Sequence, residues 1–322
     1  MARKEDVIKI FPQSIRNLFG QGEWNLDELQ EIRLRVNAPL LIVYQNKEFY
    51  VSKEGKISRT EENAFVVTKN EIRETMEYVS SYSMYAYEEE IRQGFLTIQG
   101  GHRVGLAGKI IMEQDSIKSM KYISFINIRL SHQIKGCANS VMPYIRQENG
   151  IYHTLIISPP RRGKTTLLRD VIRQLSDGDK KHRGMTVGVV DERSEIGACY
   201  MGIPQNELGI RTDILDCCPK VQGMLMLIRT MSPEVIAVDE IGSREDMEAM
   251  IYVMNCGCKL IATIHGSSIE DIRRKPILQK LLQERIFERY IVMNSQEQIG
   301  KIAEIFDCQG NPLYNRMEVT MC

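Results

Sequence analysis

A lysine followed by two threonines, set between an apolar run and a helical pattern, is the sharpest chemical signal in the chain. The segment Ser158-Pro-Pro-Arg-Arg-Gly-Lys-Thr-Thr166 follows Thr154-Leu-Ile-Ile157 and runs into Leu167, Leu168, Val171, Ile172 and Leu175 at helical spacing. Strand, loop and helix in that order describe a P-loop. Backbone N–H groups and the helix N-terminus converge on phosphate, a lysine reaches the β and γ oxygens, and a hydroxyl ligates magnesium. Lys164 and Thr165 fit the last two roles, with Pro159, Pro160, Arg161, Arg162, Gly163 and Thr166 completing the cradle. Ser158 stands where such loops usually open with glycine, and two prolines and two arginines stiffen the interior. The expected ligands are ATP and Mg2+; the bland reading is a basic turn that caps a helix.

A second apolar run, Val235-Ile-Ala-Val238, ends in Asp239 and Glu240. Beside a P-loop, Asp239 is expected to hold magnesium through a water, and Glu240 to orient or deprotonate the attacking water. A third run, Val187 to Val190, ends in Asp191, Glu192 and Arg193, and a fourth, Leu260 to Ile264, ends in His265. Open parallel sheets bind ligands at the carboxyl ends of their strands, so four polar ends at one edge argue for one composite nucleotide site. In that position His265 reads as a γ-phosphate sensor; elsewhere it would read as a structural histidine.

Positioning these residues requires short apolar strands alternating with helices, which argues for a parallel sheet covered on both faces. We assign residues 151–322 to a RecA-like P-loop ATPase domain and residues 1–150 to a smaller N-terminal α/β domain, with the boundary among Gly136, Pro143 and Gly150. In the first part, Ala38–Tyr44 and Ala64–Val67 read as strands. Thr68 with Glu71 reads as a capping box opening a helix through Ile72, Met76 and Val79. Residues 93–108 read as two strands around a Gly100-Gly101 turn, a role preferred to nucleotide contact, with Ile123–Leu130 pairing nearby. Met224, Met226, Met231, Met247, Met250 and Met254 read as core filler on helices, and residues 306–314 as a terminal hairpin.

Composition sets the outer bounds. The 322 residues are 43% hydrophobic and 26% charged, which excludes a disordered or collagen-like chain. Basic and acidic residues number 42 each, so no global field draws the chain onto a polyanion. A nucleic-acid motor calls for a basic stripe with stacking aromatics, whereas aromatics are 7% here with one tryptophan. The absence of an apolar stretch of about 18 residues, and of an apolar core in Met1–Asp6, predicts a cytoplasmic chain without membrane insertion. The eight cysteines contain no CxxC pair and are expected as reduced thiols rather than zinc ligands.

Several long blocks carry a resemblance. They are Glu31-Ile-Arg-Leu-Arg35, Tyr87-Glu-Glu-Glu-Ile-Arg-Gln-Gly-Phe95, Gly100-Gly-His-Arg-Val-Gly-Leu-Ala-Gly108, Val190-Asp-Glu-Arg-Ser-Glu-Ile196, Gly209-Ile-Arg-Thr-Asp213 and Ser232-Pro-Glu-Val-Ile-Ala-Val-Asp-Glu-Ile-Gly242. Through most of its length the chain resembles the stage III sporulation protein AA family, itself similar to type II and type IV secretion and pilus-retraction ATPases. The resemblance implies an acidic box at Asp191 and Glu192 and a histidine box at Thr263-Ile-His265-Gly266. The two acids stand in the opposite order from the usual box, which leaves their individual roles open.

The resemblance further implies an ATP-hydrolysing motor in the mother-cell cytoplasm. It would serve the secretion-like, membrane-spanning channel that joins mother cell and forespore. Such a motor is expected as a homo-oligomeric ring, taken as a hexamer, docked on integral membrane partners and peripheral to the membrane through them. Phosphoryl transfer usually needs one more cation. Phe125-Ile-Asn-Ile-Arg129 resembles the arginine-bearing strands of secretion ATPases, making Arg129 and Arg103 the N-terminal candidates. Arg193, Arg211 and Arg229 are rivals in the ATPase domain. The N-terminal domain reads as a movable clamp hinged near 136–150. The alternatives are a RecA-like ATPase acting on nucleic acid and an ATP-dependent scaffold with little turnover.

Overall fold

The computed structural model describes residues 5–22, 25–148, 150–274, 279, 286–294 and 299–315. The first four residues, read above for a leader, lie outside them. The chain divides into two compact units, Met1–His132 with Ala198–Gln205, and Gln133–Gly197 with Asn206–Cys322.

The first unit is built on a seven-stranded antiparallel sheet. Its strands are β1 (Leu29–Arg35), β2 (Leu41–Tyr44), β3 (Lys47–Val51), β4 (Ile57–Ser58), β5 (Phe95–Ile98), β6 (His102–Glu113) and β7 (Ser116–Arg129). Their order is β4-β3-β2-β1-β7-β6-β5. The charged look of Glu28–Arg35 conceals the central strand β1. A register shift between Leu29 and Glu31 brings Leu29, Ile32 and Leu34 onto the core side together, where all three are fully buried. Helices α1 (Gln13–Gln21) and α2 (Lys69–Val79) contribute Ile15, Leu18, Ile72 and Met76 to the same core. The capping box at Thr68 and Glu71 is present as expected.

Strands β6 and β7 run on well past the stretches expected at 93–108 and 123–130. Their inner halves bury Val104, Leu106, Ile126 and Ile128, whereas Ile110, Met112 and Ile117 on the outer halves are exposed. A ribbon that buries neither face carries no alternating signal, so its outer part was not readable. The Gly100-Gly101 turn joins β5 to β6 as expected, and the inserted segment Ala198–Gln205 packs on it. Gly100 N donates to Gln205 Oε1 at 2.9 Å, and a Cβ on Gly101, at φ +75°, would stand 3.1 Å from those of Ala198 and Gln205.

The second unit carries an eight-stranded sheet. Its strands are β8 (Thr154–Ser158), β9 (Val187–Asp191), β10 (Thr212–Asp216), β11 (Val235–Val238), β12 (Lys259–His265), β13 (Arg289–Met293), β14 (Ile302–Asp307) and β15 (Pro312–Asn315). The order is β10-β9-β11-β12-β8-β13-β14-β15, parallel from β10 to β13 and antiparallel beyond. Leu155 and Ile157 pack into one core with Met224 and Met250, while Ile156 packs into the other with Leu168 and Val171. Burial on both faces is why these strands read as unbroken apolar runs. The helices α3 (Lys164–Asp177), α4 (Lys220–Met231) and α5 (Arg244–Asn255) supply the covering residues.

Met224, Met247 and Met250 are core residues, but Met226 and Met231 are about half exposed, so the core reading of the methionines holds only in part. Ala138, Val141, Met142 and Ile145 pack in this unit's core. The terminal hairpin forms from β14 and β15. Among the described residues no helix is long and apolar enough to cross a membrane.

Candidate functional site

Six parallel strands of the second unit end at one edge, and the registers among the four that carry the candidate residues decide which polar groups meet. Ser158 pairs with His265 and Val238 with Ala262, which brings Asp239 beside Thr263. The strand carrying Asp239 is not next to the strand that feeds the P-loop, because β12 lies between them. The carboxylate crosses that gap through its side chain.

The loop after β8 bends through two left-handed residues, Arg161 at φ +60° and Gly163 at φ +89°. Glycine carries no penalty at that angle, and Gly163 stands at the N-cap of α3, whose first turn has no side-chain cap. Ser158 is fully buried at the strand end, where its carbonyl accepts from Gly266 N at 3.2 Å. Arg162 lies within the loop, and its carbonyl accepts from Gly300 N at 3.0 Å. Pro160 and Arg161 are exposed; Pro159 and Thr166 are half-buried.

Lys164 is 6% exposed and its ammonium lies 3.0 Å from Asp239 Oδ1 and 3.4 Å from Glu240 Oε1. Thr165 Oγ1 donates to Asp239 Oδ2 at 2.6 Å, and Thr263 Oγ1 donates to Asp239 Oδ1. Burial pushes the Asp239 carboxyl up, but the charge of Lys164 and the hydroxyls of Thr165 and Thr263 outweigh it and hold it below the usual range. Glu240 has φ +53°, a conformation side chains rarely adopt, and its N–H is held by Thr263 Oγ1 at 3.0 Å. Its Oε1 meets His265 Nε2 at 2.8 Å and its Oε2 accepts from Arg193 at 2.6 Å. Burial again raises this carboxyl, and Lys164, His265 and Arg193 bring it below its ordinary value.

An ionised carboxylate, a hydroxyl and a buried ammonium in this arrangement fit a magnesium-bound polyphosphate: hard oxygens for the cation, a point charge for the anion. Next to them is a cleft of about 520 Å³ lined by Gly163, Thr166, Cys137, Asn139, Ile299 and Tyr314, a size that suits a small organic group.

The remaining candidates lie differently. Asp191 is 2% exposed and directs its carboxylate into its own loop, accepting from the amides of Glu195, Ile196 and Gly197 at 2.8–2.9 Å. Glu192 pairs with Lys220. Among the described residues neither acid bonds to Lys164, Thr165, Asp239 or Glu240. Arg103 and Arg129 sit opposite each other on β6 and β7 of the first unit, Arg103 with its guanidinium 3.6 Å from the centre of the Phe95 ring. Arg211 is engaged with the Ser176 carbonyl at 3.0 Å. Thr263 joins the site through strand adjacency, because β12 adjoins β11, and no local sequence signal marks it for this role.

Comparison with known proteins bears on the family and the fold. The family described as "Sporulation stage III, protein AA" matches residues 1–313. The Stage III sporulation protein AA of Bacillus subtilis is 41% identical over 318 residues, 98% of this chain and 99% of that one. Among solved structures, the Yersinia pseudotuberculosis ATPase DotB superposes with a TM-score of 0.60 at 13% identity, over 92% of this chain and 80% of that one. The pilus retraction motor PilT with bound ADP gives 0.56 at 14% identity, over 91% and 78%. Likeness at such identities is one of fold, that of a RecA-like P-loop ATPase domain behind a smaller α/β domain. With a family match across nearly the whole length and a relative of equal extent, the chain belongs to the sporulation stage III protein AA family.

Proposed function

We propose that this chain is a magnesium-dependent ATPase that acts as the motor of a secretion-like channel between mother cell and forespore. The observation that carries the reading is the single carboxylate of Asp239 held by both Lys164 and Thr165, with Glu240 beside it. Thr165 and Asp239 would hold the magnesium ion, which would supply charge neutralisation for the phosphates. Lys164 exchanges Asp239 for those oxygens. Glu240, ionised and anchored at its backbone by Thr263, takes the attacking water as base or orienting group, and His265 at 2.8 Å from it responds to the loss of phosphate. The cleft lined by Cys137, Asn139 and Tyr314 receives the base.

Family membership supports the sporulation role, and the fold shared with DotB and PilT supports a motor for a protein machine. We extend the reading to a ring, taken as a hexamer, that docks on integral membrane partners from the mother-cell side. The test is ATP hydrolysis by purified protein. Wild type should turn over ATP with magnesium, Lys164→Ala should lose binding, and Glu240→Gln should bind and not turn over. Equal rates for wild type and Glu240→Gln refute the assignment of Glu240. Strong stimulation by single-stranded DNA, with no recovery in membranes from sporulating cells, would replace the channel motor by a nucleic-acid ATPase.

A further inference from the structure

The two oxygens of Glu240 divide the side chains around it between them. Lys164 and His265 meet Oε1, at 3.4 and 2.8 Å, and Arg193 meets Oε2 at 2.6 Å. The guanidinium of Arg193 therefore stands one carboxylate away from the ammonium that the P-loop presents to phosphate. We propose that Arg193 is the arginine that completes this site in its own subunit, held by Glu240 before nucleotide binds and passed to the γ-phosphate afterwards. The proposal rests on the reading of the site as an ATPase and adds the identity of its last cation.

Three features carry it. First, the loop that carries Arg193 is tied down just beyond it, at residues 195–197, while the head of Arg193 is not. Asp191 ties down the amides of residues 195–197, Arg169 binds the carbonyls of Glu195 and Ile196, and yet the Arg193 side chain is 63% exposed. A firm base with a swinging guanidinium allows a short transfer at no cost in fold. Second, the arginines of α3 and the one that precedes β10 are committed elsewhere. Arg169 is buried on loop carbonyls, Arg173 pairs with Asp170, and Arg211 binds Ser176. Third, the exchange releases what must be released. A triphosphate draws both Lys164 and Arg193 more strongly than one carboxylate can, and their departure frees Glu240 to take a water. Until then both oxygens of Glu240 are engaged, Oε1 by Lys164 and His265 and Oε2 by Arg193, so hydrolysis waits for the γ-phosphate to draw the cations away.

The test compares Arg193→Ala and Arg193→Lys with wild type, measuring turnover and the affinities for ADP and for a non-hydrolysable ATP analogue. Arg193→Ala should keep ADP affinity, lose at least about tenfold in affinity for the analogue and fall by about 10²-fold or more in kcat. Arg193→Lys should recover analogue binding better than rate, because an ammonium lacks the guanidinium fork. It also serves if the alanine variant proves unstable. Mixing Lys164→Ala with Arg193→Ala subunits should restore no activity, since both groups are needed in one chain.

A kcat within about threefold of wild type overturns the proposal, as does equal loss of ADP and analogue binding, which would make Arg193 structural. Recovery on mixing overturns the placement in its own subunit. If wild type binds nucleotide without hydrolysing it, the proposed ATPase activity fails while the ratio of analogue to ADP affinity still decides the role of Arg193. Binding of neither nucleotide sinks both.

Discussion

Thr165 and Asp239 stand 74 positions apart and share a hydrogen bond of 2.6 Å, while Lys164 holds the other oxygen of the same carboxylate at 3.0 Å. The start of α3 and the end of β11 are thus joined across an intervening strand by one side chain. An arrangement of that kind is assembled by folding and waits for its ligand.

Removing Asp239 should therefore cost stability as well as function. Asp239→Ala leaves Lys164 buried with Glu240 at 3.4 Å as its remaining carboxylate. We expect a loss of about 2 kcal/mol, below the full cost of breaking a buried pair because Glu240 stays. Adding Lys164→Met to Asp239→Ala should regain part of it. Denaturant unfolding of the two single variants and the double variant measures this, and strict additivity would show that the pair does not interact. Chelating magnesium should stop turnover without unfolding the protein.

Glu240 sets the acid limb of activity. Burial raises its carboxyl, and Lys164, His265 and Arg193 more than compensate, so its folded value lies below the unfolded one. A lowered carboxyl contributes stability above its unfolded pKa and loses it as pH falls through the folded value. The free enzyme should keep its base ionised below the ordinary glutamate range, leaving kcat/KM flat through that range on the acid side. His265→Ala should move the acid limb upward. A pH–rate profile unchanged by that substitution would separate His265 from the titration of Glu240.

Asp191 has the opposite sign. Burial, with Asp216 adding repulsion, raises its carboxyl to about 6, although three backbone amides pull it down. A raised carboxyl contributes stability that is fully present below its unfolded pKa and is lost as pH rises through its folded one. Asp191→Asn should remove that dependence, so wild-type stability relative to the variant should decline between about pH 4 and pH 7 by on the order of 2 kcal/mol. Equilibrium unfolding at both ends of the window gives the difference. A constant offset would mean that Asp191 is ionised throughout and acts as a fixed acceptor for its loop.

Cys137 reports on the cleft. Burial, with Asp170 nearby, pushes its thiol up to about 11, and its Sγ lies 3.6 Å from the carbonyls of Ile134 and Thr166. Only the thiolate reacts with alkylating agents, so at pH 7.5 Cys137 should be modified more slowly than the exposed Cys256, and more slowly still with ATP bound. Mass spectrometry of iodoacetamide-treated protein follows each site. Protection at Cys256 but not at Cys137 would place the base elsewhere.

What the sequence determined by itself was local. Strand, basic loop and helix around Lys164, the apolar strand ending in Asp239 and Glu240, the Thr68 and Glu71 capping box, and the two-faced burial of the second sheet are all set by residues close in the chain. Strand order and register decided the rest. Only the structure sets β12 between β8 and β11 so that Thr263 bonds Asp239, turns Asp191 into its own loop, brings Arg193 to Glu240 and packs residues 198–205 on the Gly100-Gly101 turn. Period-two alternation tells which face of a strand is buried but not which strand lies beside it, and a register shift such as that in β1 disguises even the face. Side-chain partners across a sheet depend on those neighbours, which pair over tens of residues of chain and leave no mark in any short window of sequence.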